Sequence, residues 1–173
     1  EAHPVFASRM KKRLREGAKL IVVDPRRIAL VAGPHVEATH HLQLRPGTNT
    51  AMLNMMLYYI ITEKLEDEDF IAQRTEGYEE FKQEILKQDI AELERITGVD
   101  RKLAREAAIA YATADNAMSF HGLGVTEHSQ GTFTVMLTAD LAMITGNIGR
   151  RGVGVNPLRG QNNVQGAADM GCQ

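Results

Sequence analysis

Ala18-Lys19-Leu20-Ile21-Val22-Val23-Asp24 is the stretch that decides the fold class. Its apolar run is nearly continuous rather than alternating, the pattern of a parallel strand covered on both faces. It ends in Asp24-Pro25-Arg26-Arg27, where proline has no N–H to give to a ladder. Upstream, Pro4 stands where a first helical turn tolerates proline. From there to Arg15, Val5, Phe6, Met10 and Leu14 share one helical face with basic residues opposite, and Gly17 ends the helix. Downstream, Thr39 to Leu44 reads as a second, weaker strand. The turn Arg45-Pro46-Gly47-Thr48-Asn49-Thr50 supplies N-cap residues for a helix over Ala51–Ile61 that is apolar nearly all round and therefore buried.

Short helices are expected around Asp69–Arg74, Tyr78–Lys87 and Ile90–Ile96, with breaks at Gly77 and Gly98 and with the charge-rich 63–94 stretch as a solvated face. Asp100 caps a longer helix over Arg101–Ala114. Ala117-Met118-Ser119-Phe120 is a third strand, followed by a glycine loop and a buried helix from about Gly131 to Thr145. Seven of the fifteen glycines lie from Gly146 onward, so the tail is expected to be loop. Strands alternating with helices predict an α/β domain: Rossmann-like, with a mostly parallel sheet flanked by helices and an additional helical segment at about 63–115. The organisation read from this pattern is an α/β domain over 1–150 and a glycine- and amide-rich segment over 151–173.

The 173 residues suffice for one domain with a real core. The hydrophobic fraction of 43% and charged fraction of 24% are those of a soluble globular protein. A net charge of -2 gives no sign of a nucleic-acid partner. The longest apolar run, Met55–Ile61, is far short of a membrane span. The single cysteine, Cys172, excludes an internal disulfide and suits a reducing compartment, so the expected location is cytoplasmic.

Ligands of open parallel sheets bind at the carboxyl ends of strands, and three loops qualify. Asp24 can accept from a ribose diol or from the N1 and N2 donors of guanine, and Arg26 beside it can hold a phosphate or stack on a base. Gly47-Thr48-Asn49-Thr50 opens a helix whose free N–H groups suit a phosphate. Gly122-Leu123-Gly124, with Gln130-Gly131 beyond it, allows close backbone approach. The strongest stretch is Asn156-Pro157-Leu158-Arg159-Gly160-Gln161-Asn162-Asn163-Val164-Gln165-Gly166: amides suit the edges of a flat heterocycle, and Arg159 offers a planar fork for an oxyanion. Other residues have plainer readings. His40 and His41 point to opposite faces of a strand and cannot chelate one ion. His121 and His128 flank the glycine loop without metal-ligand spacing. Asp140 is expected to meet Arg150 or Arg151, or to be solvated.

Taken with Val22-Val23-Asp24-Pro25-Arg26, Leu44-Arg45-Pro46-Gly47-Thr48-Asn49, Gly122-Leu123-Gly124-Val125-Thr126 and Thr145-Gly146-Asn147-Ile148-Gly149, that run resembles the catalytic (alpha) subunits of molybdenum- or tungsten-dependent formate dehydrogenases, in the molybdopterin oxidoreductase family. The Arg159–Gly166 run is the most particular to formate dehydrogenases; the earlier motifs belong to the wider family. The resemblance implies formate oxidation to CO2 at a Mo or W ion held by two molybdopterin guanine dinucleotides (bis-MGD). Asp24 and Arg26 would meet a guanosine end, with Gly47 and Asn49 near the same nucleotide. Gly122, Gly124, Gln130 and Gly131 would line a dinucleotide. Arg159 would face the metal and help hold formate, and Gly160 and Gln161 would lie close to the pterin.

The family's metal-ligating cysteine or selenocysteine, the histidine after it and the cysteines of its 4Fe-4S cluster have no counterpart here, and Cys172 matches none of them. No metal ligand is expected in this chain. With no initiator Met and a polar, glycine-rich end, it reads as an internal piece, without the family's first strand and glycine turn. An exposed sheet edge invites self-association. The implied partners are formate, the rest of the alpha subunit and electron-transfer subunits. Three rival readings are another molybdopterin oxidoreductase, a cofactor-free respiratory-complex homologue and a plain nucleotide-binding module.

Overall fold

A computed structural model describes residues 3–172. In chain order the elements are α1 (Pro4–Arg15), β1 (Ile21–Val23), β2 (Ala32–Gly33), β3 (Val36–Glu37), β4 (His40–Leu42), α2 (Asn49–Thr62), α3 (Glu68–Arg74), α4 (Tyr78–Leu86) and α5 (Ile90–Thr97). There follow α6 (Arg101–Ala112), β5 (Met118–His121), α7 (Leu123–Thr126), α8 (Gly131–Ile144), β6 (Gly154–Pro157) and α9 (Val164–Asp169).

β1 and β4 pair in parallel, with Val22 opposite His41. The expected mostly parallel sheet of three strands is not what forms. Among the described residues the strands make three separate two-stranded ladders, and β5 pairs in parallel with β6 rather than with β1 or β4. β6 corrects the reading of the tail as loop. Its Gly154-Val155-Asn156-Pro157 has little strand propensity, and the ladder forms because β5 supplies a partner. Pro157 sits at its end, opposite His121, where a missing N–H does least harm. The antiparallel pair β2–β3 is two residues a side, too short for any periodicity to reveal.

The core is built around α2, which packs against α4, α5, α6 and α8. Met52, Met55, Leu57 and Ile60 are fully buried there, beside Leu42 of β4 and Ala104, Ala107 and Ala108 of α6. The alanines let α6 approach closely, and the unbranched methionines fill irregular gaps. Helices α3, α5 and α6 start on Asp67, Asp89 and Asp100, whose carboxylates accept from backbone N–H groups of the first turn. The 63–94 stretch is more than a solvated face. Ile71, Ile85 and Leu93 are buried, and the side chain of Glu66, only 6% exposed, accepts from Tyr78 Oη at 2.8 Å and pairs with Lys82 at 3.2 Å. α1 lies more loosely, with no buried residue, and touches β5 through the Phe6 and Phe120 rings, whose centroids are 4.6 Å apart. No helix is long and apolar enough to cross a membrane.

Candidate functional site

Three crossings bring the candidate loops to the carboxyl ends of the parallel strands: β1 into Asp24–Arg26, β4 into Gln43–Thr48, and β5 into Gly122 and α7. Asp24 leaves β1 and folds its carboxylate back, Oδ1 accepting from Arg26 N–H at 2.7 Å. The Arg26 guanidinium stays in solvent, 83% exposed, with Nε 3.9 Å from the same oxygen. The next strand steadies this turn. His41 Nε2 donates to the Asp24 carbonyl at 2.9 Å, and Gln43 Nε2 to the Pro25 carbonyl at 3.0 Å. Neither residue type marks a site by itself, although their i, i+2 spacing on one strand face is visible in the sequence.

The Gly47–Asn49 turn behaves differently from expectation. Gly47 has φ +80°, a conformation that favours glycine. Thr48 occupies the N-cap position of α2 but does not cap it; its hydroxyl donates instead to the Arg45 carbonyl at 2.7 Å. Gln130, at the N-cap of α8, does not cap either. Its side-chain oxygen accepts from Thr50 Oγ1 at 2.8 Å, joining the starts of α2 and α8. Two long helices thus begin side by side without side-chain caps, whereas α3, α5 and α6 are capped. First-turn N–H groups left free in this way are anion donors.

The glycines after β5 divide. A Cβ on Gly122 would lie 3.3 Å from the Leu158 carbonyl oxygen, so this glycine permits the β5–β6 exits to meet. Gly124 lies within α7 with open space around its missing Cβ. Gly131 is buried, and a Cβ there would strike the Thr126 carbonyl. Its bareness is what lets the α7–α8 corner close.

Arg159, Gly160 and Gln161 lie exposed between β6 and α9. Leu158 N–H donates to the His121 carbonyl at 2.7 Å, which sets Arg159 just beyond the end of β5. His3 Nε2 donates to the Arg159 carbonyl at 2.8 Å, while the Arg159 guanidinium has no partner among the described residues. Burial, and then the nearby Arg159 charge, push the His121 imidazole below its ordinary value. Its Nδ1 is buried without a hydrogen-bond partner among the described residues.

Two further expectations change. Arg150 does not meet Asp140: it donates to the Asp115 carbonyl at 2.8 Å, to the Gly146 carbonyl at 3.3 Å and to Asn116. Asp140 has no ion pair among the described residues, and burial raises its carboxyl above the ordinary value. Asn147, from the motif Thr145–Gly149, is a rivet: 1% exposed, it accepts from Ala117 N–H at 2.9 Å and donates to Thr145 Oγ1 at 2.9 Å.

The donors and acceptors thus gather as Asp24 and Arg26 after β1, two uncapped helix starts joined by Thr50 and Gln130, and Arg159 beside His121 after β5 and β6. Each group lies at the exit of its own parallel ladder or at a helix start. A cavity of 510 Å³ lies elsewhere, among Glu66, Ile71, Tyr78 and Lys82, and holds none of them.

The sequence profile of molybdopterin oxidoreductases matches residues 1–172. The chain belongs to the molybdopterin oxidoreductase family. It is 47% identical over 172 residues to the F420-dependent formate dehydrogenase subunit alpha of Methanocaldococcus jannaschii, covering 99% of this chain and 25% of that protein. It is 46% identical over 172 residues to formate dehydrogenase H of Escherichia coli, covering 99% of this chain and 24% of that protein. Among solved structures, acetylene hydratase from Pelobacter acetylenicus superposes with a TM-score of 0.74 at 30% identity, over 82% of this chain and 19% of that one. The chain therefore spans about a quarter of the length of its formate dehydrogenase relatives.

The chemistry of these donors suits the anionic and heterocyclic parts of a nucleotide: a carboxylate and a guanidinium follow β1, α2 and α8 start without side-chain caps, and among the described residues the Arg159 guanidinium and His121 Nδ1 have no partner.

Proposed function

We propose that this chain is the part of a formate dehydrogenase alpha subunit that grips the guanine dinucleotide cofactor and presents an arginine to formate. The observation that carries the reading is Arg159. It stands in the Arg159–Gly166 run with its backbone tied down by His3 and β5 and its guanidinium without a partner among the described residues. The 47% and 46% identities to formate dehydrogenases support the choice of reaction.

The Asp24 carboxylate takes the N1–H and N2–H donors of guanine or a ribose diol, and Arg26 lies over the base or against a phosphate. The Gly47–Asn49 turn and Gln130 present the α2 and α8 starts to the cofactor's phosphates. Gly122, Gly124 and Gly131 keep side chains out of its path, and Gly131 also lets the α7–α8 corner close. Gly160 and Gln161 lie against the pterin. The bound Mo or W bis-MGD centre supplies the two-electron redox chemistry that formate oxidation requires. Arg159 holds the formate carboxylate with a bidentate fork and favours bound anion throughout the reaction. Burial and the Arg159 charge both disfavour a second positive charge on His121 beside it. Iron–sulfur clusters and electron-transfer partners belong to the rest of the protein, since Cys172 is the one cysteine of this chain.

The test has two arms. Calorimetric titration with GDP should give saturable binding that Asp24→Ala weakens by about tenfold, the loss of a charge-assisted pair. In the cofactor-loaded full-length protein, Arg159→Ala should raise the formate KM by at least about tenfold with cofactor content unchanged. GDP binding indifferent to Asp24, or formate oxidation indifferent to Arg159, sinks the reading. The likeness to acetylene hydratase favours one second reading, a different reaction on the same scaffold. Retained cofactor without any formate oxidation would select it.

A further inference from the structure

We propose that His41 and Gln43 are positioning residues for Asp24, a pair of strand-borne donors that hold its turn so that the carboxylate faces ligand. The proposal rests on the nucleotide reading above. Its basis is the backbone accounting of the turn. After Val23 the β1–β4 ladder stops, Pro25 has no N–H, and the carbonyls of Asp24 and Pro25 have no strand to pair with. β4 and its extension supply the missing donors from side chains. His41 stands opposite Val22 in the parallel register and reaches forward to the Asp24 carbonyl at 2.9 Å. Gln43, two residues on and therefore on the same face, reaches the Pro25 carbonyl at 3.0 Å. A carbonyl only accepts, so His41 carries its proton on Nε2.

With both carbonyls drawn toward β4, the turn closes on itself through Arg26 N–H to Asp24 Oδ1 at 2.7 Å and Ile28 N–H to the Arg26 carbonyl at 2.9 Å. Oδ2 of Asp24 is then the acceptor without a partner among the described residues. Without the two clamps, Asp24 and Pro25 sit on a turn free to rotate their carbonyls to water, and the carboxylate loses its fixed direction. His41 and Gln43 touch no ligand in this scheme; they act through the Asp24 backbone.

The experiment uses the full-length protein carrying His41→Ala, His41→Gln or Gln43→Ala, with Asp24→Ala as reference. Two readouts are taken: hydrogen exchange of the peptide containing Arg26, Arg27 and Ile28, and calorimetric affinity for GDP. His41→Ala and Gln43→Ala should each speed exchange there by about tenfold while leaving the helices α2 and α6 protected. They should weaken GDP by roughly 5–30-fold, as expected for a lost positioning hydrogen bond. His41→Gln, which keeps an N–H donor of similar reach, should recover most of both. Gln43 lies at the surface, so its variant answers the question even where His41→Ala fails to fold. Unchanged exchange and GDP affinity in Gln43→Ala and in folded His41→Ala, with Asp24→Ala still weakening GDP, overturn the clamp and leave the nucleotide reading intact. Faster exchange in a protein that binds no GDP would uphold the clamp and sink the nucleotide reading instead.

Discussion

Replacing Asn147 with Ala should destabilise the chain by about 3 kcal/mol. Asn147 is fully buried, and its amide oxygen is the acceptor for Ala117 N–H, itself buried at the start of β5. Truncation leaves that N–H with no acceptor in a place water does not reach, at a cost of about 1–3 kcal/mol. It also removes the donor to Thr145 Oγ1 and one contact from Arg150, whose Nη2 lies 3.3 Å from the same oxygen. Thr145 suffers less, because its hydroxyl still donates to the Leu141 carbonyl at 2.8 Å. The volume of the lost amide adds a cavity term of about 1 kcal/mol. Together these terms give about 2–4 kcal/mol, centred on about 3 kcal/mol, or about 6–12 °C in melting temperature for a domain of this size. Calorimetry and urea denaturation of Asn147→Ala read this directly. Asn116→Ala is the control: its side chain also meets Arg150 but is exposed, so its effect should stay near 0.5 kcal/mol. A loss below about 1 kcal/mol for Asn147→Ala, or equal losses for the two variants, would refute the argument that the unpaired Ala117 N–H is what matters.

Gly131→Ala should cost about 1–3 kcal/mol through collision with the Thr126 carbonyl, whereas Gly124→Ala, with open space at its Cβ, should leave the urea midpoint unchanged or slightly raised. Similar midpoints for both would contradict the assignment of Gly131 to packing. Asp140 supplies a pH signature. Its carboxyl is raised by burial, so the folded state holds the proton more tightly than the unfolded chain. The stability this gives is present below the ordinary Asp value of 3.8 and is lost as pH rises through the raised one. Asp140→Asn, neutral throughout, should therefore raise the melting temperature by about 1–3 °C at about pH 7, after allowance for solvent screening, and give no gain at about pH 3. A gain that is the same at both pH values would mean that Asp140 does not titrate as its burial implies.

Local chemistry made much of this chain legible in one dimension. The unbroken apolar run Leu20–Val23 identified a parallel strand, and β1 pairs in parallel with β4. Asp100, Gly77 and Gly98 marked helix limits where the helices start or stop, because caps and left-handed turns depend on a few adjacent residues. The resemblance to molybdopterin oxidoreductases was carried by short motifs as well, such as Val22–Arg26 and Leu44–Asn49, and the chain belongs to that family.

What the sequence left open was which distant segment supplies each partner. β6 exists only because β5 lies beside it, so its glycine, asparagine and proline read as loop until the pairing is seen. Thr48 has the residue type of a cap and does not act as one, because the Arg45 carbonyl takes its hydroxyl. Gly131 and Asn147 carry the marks of a ligand loop and of a family motif, yet one makes room for Thr126 and the other holds Ala117. His41 and Gln43 look bland until β4 is laid against β1. Capping signals and strand runs are settled by residues a few positions apart, so the sequence alone determines them. The duties of a buried amide, a bare glycine or a strand histidine depend on which atoms arrive from tens of residues away, and that only tertiary structure decides.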